Sequence, residues 1–284
     1  MKRILITGKD SYIGTSFEKW VSRWPEEYKV DTVDTITDDW KKMDFSKFDV
    51  ILHVAAIVHK KEKNEMRILY QKVNCDLPVR IAQKAKAEGI KQFIFMSTMS
   101  VYGLNFGCIN KETPEKPKTF YGKSKLAAEK RLQELEDGKF QIAMIRPPMI
   151  YGKGSKGNYP KLARLAQKTP IFPDIENERS MLYIENLCEF IRLMIDNEAR
   201  GIFFPQNKEY VKTTELVKTI AEVYGKKMRL TRGFNPIMHL LGKHIYLINK
   251  VFGSLVYEKA MSGYKNYEYS VVNFEESIRL TESK

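Results

Sequence analysis

The 284 residues are 43% hydrophobic, 12% aromatic and 29% charged, a balance that excludes a disordered chain and suits one large α/β body with an appended lobe, or two domains. The net charge of +13 favours an anionic partner, yet the lysines are scattered over amphipathic stretches without an arginine-rich block. A solvated basic face is therefore expected and no nucleic-acid recognition module is read, while charge alone does not choose among nucleic acid, an anionic membrane surface and a phosphorylated substrate.

In chain order, the first apolar run, Ile4 to Ile6, begins too early for a secretory signal to precede it and reads as a strand. Cys75, Cys108 and Cys188, odd in number and remote from histidines, point the same way: three free thiols in the cytoplasm, no disulfide framework and no metal site. After Thr7, Gly8 and a polar turn, Ile13, Phe17, Trp20 and Val21 recur at helical spacing over 12–21. Strands are predicted over 30–34, 50–55 and 93–97, the last two almost uninterruptedly apolar, as suits parallel strands covered on both faces.

A crossover helix is predicted over 73–88, stopped by Gly89, then a helix over 121–136 and a strand over 141–146 before Pro147 and Pro148. This alternation predicts an α/β fold, a Rossmann-type doubly wound parallel sheet over 1–152. Beyond Tyr151 follow a Gly- and Lys-rich loop, a short helix over 161–167, a loop over 169–179, a helix over 184–195, a strand over 201–205 and a helix over 215–224 capped by Thr213. Residues 153–284 read as a smaller C-terminal substrate-binding lobe with some elements returning to the main sheet. The apolar stretch 237–256 is broken by Lys243, His244, Asn249 and Lys250, so it reads as an amphipathic packing helix, with an interfacial membrane helix the lesser reading and no transmembrane span.

The turn Gly8-Lys9-Asp10-Ser11-Tyr12-Ile13-Gly14 joins strand to helix, where backbone N–H groups and the helix dipole favour a pyrophosphate. Gly8 suits the tight turn and Gly14 the close helix packing, while Ser11 stands where the dinucleotide fingerprint has its middle glycine. Asp34 ends the second strand where an acid hydrogen-bonds the adenosine ribose, favouring NAD over NADP, and Asp31 competes for that place. Asp44 and Phe45, before the third strand, are placed to hold the edge and face of an adenine.

Tyr121 and Lys125, four residues apart, share one helix face. A phenol with a free pKa near 10 is a poor base at neutral pH, and a nearby ammonium brings it towards the working range. Ser97 and Thr98 end a buried strand at the edge of the sheet where ligands bind, so the Thr98 hydroxyl can bond the oxygen that gains or loses a proton. Phenol, hydroxyl and ammonium beside a dinucleotide describe proton transfer paired with hydride transfer at a carbinol carbon.

The chain resembles the extended short-chain dehydrogenase/reductases, and among them the nucleotide-sugar 4-epimerases, 4-ketoreductases and dehydratases. The resemblance rests on Thr7-Gly8 to Gly14, His53-Val-Ala55-Ala56, Val73-Asn74, Phe95-Met-Ser97-Thr98 to Val101-Tyr102-Gly103, Tyr121 to Lys125, and Arg146-Pro147-Pro148 to Tyr151-Gly152. It implies Thr98, Tyr121 and Lys125 as the catalytic set, and Gly8, Ser11, Tyr12, Ile13, Gly14, Asp34, Asp44, Phe45, Ala55, Ala56, Asn74, Tyr121 and Lys125 around the cofactor. Gly157-Asn158 and the segment opening at Arg179 resemble those that hold the diphosphate of a nucleotide sugar, a task suited to an arginine fork.

Three departures stand out: Ser11 for glycine, a short connection between Asp34 and Asp44, and Val58 where many 4-epimerases carry a lysine. Dehydratases of the family place acids directly after the catalytic hydroxyl, and here Met99 and Ser100 stand there, against dehydration. The resemblance therefore implies an NAD-dependent UDP-sugar 4-epimerase, a cytoplasmic homodimer serving polysaccharide biosynthesis. A 4-ketoreductase of a UDP-linked deoxy or N-acetamido sugar is the near alternative, and a non-catalytic dinucleotide-sensing or nucleic-acid-binding protein the distant one.

Overall fold

A computed structural model describes residues 1–58, 62–232 and 253–283. Strand β1 (Lys2–Thr7), fully buried from Ile4, turns into helix α1 (Tyr12–Val21), which buries Gly14, Phe17, Trp20 and Val21 along one face. Strand β2 (Tyr28–Val33), the single turn α2 (Asp39–Lys42) and strand β3 (Val50–His53) follow. The crossover is α3 (Arg67–Gln71), a π-helical turn over Lys72–Asp76 and α4 (Leu77–Ala87), leading to β4 (Gln92–Met96). It starts earlier than the apolar spacing indicates, because the first turns bury only Tyr70 and leave Ile68 and Leu69 exposed.

Next come β5 (Gly107–Ile109), α5 (Phe120–Gln133), β6 (Gln141–Ile145), β7 (Met149–Tyr151), α6 (Tyr159–Lys168), β8 (Ile171–Pro173) and β9 (Met181–Tyr183). Then α7 (Ile184–Asp196), β10 (Gly201–Phe203), α8 (Thr213–Val223), β11 (Arg229–Thr231) and β12 (Leu255–Tyr257) precede a last helix over Phe274–Glu282. The helix expected over 237–256 lies outside the described residues except at its end, where Leu255 opens β12.

The chain divides into two compact units, 1–103 with 114–147 and 187–205, and 104–113 with 148–186 and 206–284. Both are built from interleaved segments of the sequence: β10 extends the sheet of the first unit, and β5 pairs with the distant β12 in the second.

The first unit carries a six-stranded sheet in the order β10-β6-β4-β3-β1-β2, parallel at every pairing. From β1 the chain steps outward to β2, then returns past β1 to β3, so the strand order reverses between β1 and β3. At such a reversal the connections leave to opposite faces and open a crevice at the carboxyl ends of the strands. Leu5, Ile51, Phe93, Phe95, Ile142 and Met144 project from one face onto Val79, Ala82 and Ala85 of α4 and Ala128 and Leu132 of α5. Burying a large apolar side chain contributes roughly 1.5–3 kcal/mol, so this layer fixes where the ends of β1, β3 and β4 lie.

The second unit holds three two-stranded parallel pairs, β5 with β12, β7 with β9 and β8 with β11. Thr213 does not cap α8 but is its first helical residue; its backbone N–H donates to Asn177 Oδ1 at 2.9 Å, and its hydroxyl accepts from Asn177 Nδ2 at 2.9 Å. Asn177, remote in sequence, thus takes the capping role. No helix among the described residues is long and apolar enough to cross a membrane.

Candidate active site

The carboxyl ends of β1, β3 and β4 place most of the sequence-predicted residues in the first unit. Gly8 has φ +120°, and a Cβ there would lie 2.8 Å from Ala55 N. Only glycine lets the turn after β1 approach the end of β3 this closely. Ala55 N–H, like Val54 N–H, donates to the Thr7 carbonyl, at 3.0 and 3.1 Å, so the two turns form one wall of the crevice.

Ser11 caps α1, its hydroxyl accepting from Gly14 N–H at 3.2 Å. The residue standing for the middle glycine is thereby accounted for locally, as a helix N-cap. Tyr12 and Ile13 lie half-buried in the first turn of α1. Asp34 follows β2 directly, with Oδ1 accepting from Ile36 N–H at 2.8 Å. Asp31, its competitor, lies within β2 away from the carboxyl end and lines a cleft of about 510 Å³ with Arg3, Glu18, Asp44 and Lys47.

Asp44 is exposed and held low in pKa by the hydroxyl and backbone N–H of Ser46. Phe45 differs from expectation: its ring is fully buried in the core, with Lys84 Nζ 4.8 Å from its centroid, so it has no face to offer an adenine. Asn74 is fully buried in the π-helical turn, donating to Ile57 O at 3.1 Å and accepting from Ile57 N–H at 2.8 Å. Its amide is thus occupied in holding Ile57, just beyond Ala55 and Ala56.

Thr98, two residues beyond β4, caps a 3₁₀ turn, its hydroxyl accepting from Ser100 N–H at 3.1 Å. Gly122 of α5 is the point of closest approach, since a Cβ there would lie 2.6 Å from Ser100 O. That approach brings the preceding residue, Tyr121, to the turn that Thr98 caps. Burial pushes the Tyr121 phenol up to about 12, with the Thr98 hydroxyl opposing. Lys125, one turn further, is 1% exposed and donates to Met96 O at 2.7 Å. Burial pulls its ammonium down to about 7, with the Glu129 carboxylate opposing.

Beneath this trio lies a polar network that the sequence did not disclose. Glu129, 3% exposed, accepts from the Ser97 hydroxyl and from Arg146 Nε and Nη2, the latter at 2.5 Å. Arg146 Nη1 donates to Tyr102 Oη at 2.8 Å and Nη2 to Glu115 Oε1 at 2.5 Å. Ser97, Tyr102 and Arg146 belong to motifs quoted above, yet only the folded chain joins them through Glu129. His53, fully buried, shares a 2.7 Å hydrogen bond with the Thr7 hydroxyl and is held down to about 3 by burial.

Asn158 and Arg179 belong to the second unit, where both line one small cavity with Met149, Met181, Val211 and Thr213. Arg179 Nη1 donates to Gly253 O at 2.7 Å, and burial lowers the guanidinium from its ordinary value. Sequence reasoning missed Val211, which exchanges two backbone hydrogen bonds with Arg179 across more than thirty intervening residues.

The first unit fits a dinucleotide on its own geometry: a glycine-dependent close approach at the strand-order reversal, a helix starting there, and a carboxylate at the end of β2. Among the described residues no cluster of His, Cys, Asp or Glu could hold a metal ion.

Residues 4–204 match the NAD dependent epimerase/dehydratase family. A UDP-glucose 4-epimerase of Vibrio cholerae is 31% identical over 248 residues, 78% of this chain and 75% of that protein. The N-acetyl-alpha-D-glucosaminyl-diphospho-ditrans,octacis-undecaprenol 4-epimerase of Escherichia coli O157:H7 is 30% identical over 200 residues, 68% of this chain and 58% of that one. In fold, the chain is similar to UDP-N-acetylglucosamine 4-epimerase from Bacillus cereus, with TM-score 0.77, 17% identity and coverage of 98% and 97%. It is likewise similar to a dTDP-4-dehydrorhamnose reductase from Clostridium acetobutylicum, with TM-score 0.76, 18% identity and coverage of 98% of both chains.

Proposed function

The chain belongs to the NAD dependent epimerase/dehydratase family and is an enzyme of nucleotide-sugar chemistry, and on that premise we propose that it is a UDP-sugar 4-epimerase with Tyr121 as acid and base. The close approach of Gly122 to Ser100, which brings Tyr121 to the turn capped by Thr98 with Lys125 one helical turn away, carries this proposal. Two relatives of about this identity are named as 4-epimerases, and Met99 and Ser100 supply no acid for an elimination.

Tyr121 Oη takes the proton of the C4 hydroxyl and returns it to that oxygen after the 4-keto sugar has rotated to present its other face for re-reduction, while the Thr98 hydroxyl holds the same oxygen. When bound, NAD supplies the oxidation at C4 and the re-reduction that restores the alcohol. Gly8 and Ser11 to Gly14 would receive its pyrophosphate, Asp34 its adenosine ribose, and Lys125 its second ribose. A phenol at about 12 is a weak base near neutral pH, and the cationic form of Lys125 lowers the cost of its deprotonation. Burial opposes that cationic form and Glu129 supports it. Arg179 and Asn158, in their shared cavity, would take the diphosphate of the sugar nucleotide.

A Tyr121→Phe variant tests the assignment. Turnover of UDP-glucose and UDP-N-acetylglucosamine should be lost while NAD binding, followed by calorimetry, persists. Unaltered turnover would remove Tyr121 from the chemistry.

A further inference from the structure

Helix α5 carries both Tyr121 and Lys125, so the placement of its first turn sets where the phenol sits. The first N–H groups of a helix have no partner within it. In α5 three of them are accounted for in full. Gly122 N–H donates to the Thr119 hydroxyl at 3.0 Å, the local cap. Phe120 and Tyr121 N–H donate to the two oxygens of one carboxylate, Glu62 Oε2 at 2.8 Å and Oε1 at 2.9 Å. Glu62 lies far upstream, in the segment that leaves β3. Ile57, nearer the end of β3, has both of its backbone polar groups held by Asn74. The phenol of Tyr70 is pushed up by burial and by the negative charge of Glu62.

We infer that Glu62 is a positioning residue: its carboxylate, bonded to the backbone N–H of Phe120 and Tyr121, ties the segment after β3 to the catalytic helix and sets the Tyr121 phenol against Thr98. The inference rests on the role of Tyr121 given above. A carboxylate suits the task because it accepts two N–H groups at once and lies at the positive end of the helix dipole. One oxygen bonds the N–H of the catalytic residue itself, so its loss frees the backbone of Tyr121 within the turn that defines its reach. Misplacement of a reacting group by about 1 Å costs as much as 10²-fold in rate.

The test compares the parent with Glu62→Ala, Glu62→Gln and Tyr121→Phe in the full chain. It reads kcat and KM for the 4-epimerisation of UDP-glucose and UDP-N-acetylglucosamine, together with amide hydrogen exchange at Phe120 and Tyr121. In Glu62→Ala, exchange at both amides should quicken and kcat should fall about tenfold or more, with KM within about twofold of the parent. Glu62→Gln, which keeps one acceptor oxygen and the shape of the side chain, should recover part of both and decides the matter if the alanine variant does not fold. Unchanged exchange in the variants would mean that the clamp does not exist in solution. Quickened exchange with kcat within about twofold of the parent would make it a structural cap without catalytic effect. Turnover that survives in Tyr121→Phe would overturn the role of Tyr121 instead, whatever Glu62 does.

Discussion

The ammonium of Lys125 donates to the carbonyl oxygen of Met96 at 2.7 Å, at the end of the strand that also delivers Thr98. Phenol, hydroxyl and ammonium are thereby referred to one strand end, and the charge state of Lys125 becomes a property of the folded chain. Its ammonium stands at about 7 in the folded protein against an ordinary 10.5. Between these values the unfolded chain binds more protons than the folded one, so stability rises with pH across that window and is least below about 7. Thermal unfolding should therefore show a midpoint rising from neutral to alkaline pH, and Lys125→Met should lose that rise. An equal pH dependence in both proteins would show that Lys125 is not buried in its charged form.

His53 acts on the acid side with the same sign. Burial lowers it from 6.5 to about 3, so its contribution is complete above about 6.5 and is lost as pH falls towards 3. His53→Gln, which keeps a partner for the Thr7 hydroxyl, should move acid unfolding to lower pH. An unshifted acid transition, followed by circular dichroism, would assign the acid limb to other groups.

The pair of Arg146 and Glu129 is buried at 3% exposure on both sides. Removing one partner leaves the other charge uncompensated, which costs on the order of 3–5 kcal/mol. Arg146→Met should accordingly lower stability by about that amount in urea unfolding and lower turnover with it, because Glu129 also holds the Ser97 hydroxyl. A loss below about 1 kcal/mol would place the pair among weakly coupled surface ions.

At the dinucleotide crevice, Gly8→Ala sets a Cβ 2.8 Å from Ala55 N at φ +120°. It should abolish NAD binding measured by calorimetry. Asp34→Ala should retain NAD binding and narrow its preference over NADP, since the carboxylate at the end of β2 repels a 2′-phosphate. A preference left unchanged would move that role to another acid.

The parts of this protein that were legible in its sequence are those written in near neighbours. Helical spacing gave α1 its observed bounds, 12–21, and Tyr121 and Lys125 declared a shared helix face through their separation alone. What escaped depends on residues far apart in the chain. Glu62 caps α5 from beyond fifty residues upstream, and Glu129 meets Ser97 and Arg146 only after β4, α5 and β6 have packed. Phe45 was expected at an adenine because its place in the sequence suits one, but its ring packs into the core cluster with Trp40, Phe48 and the buried face of α4. Asn177 took the cap assigned to Thr213 for a like reason, since a side chain from a neighbouring loop reached the first turn of α8.

The most direct measurement is incubation of the freshly purified protein with UDP-glucose and UDP-N-acetylglucosamine without added cofactor, with the products separated by anion exchange and identified by NMR. A UDP-sugar 4-epimerase that retains NAD should convert at least one of them to its 4-epimer. A protein that forms no 4-epimer, even when NAD is supplied, but consumes NADH or NADPH with a 4-keto sugar nucleotide would be a reductase, and that result would contradict the account.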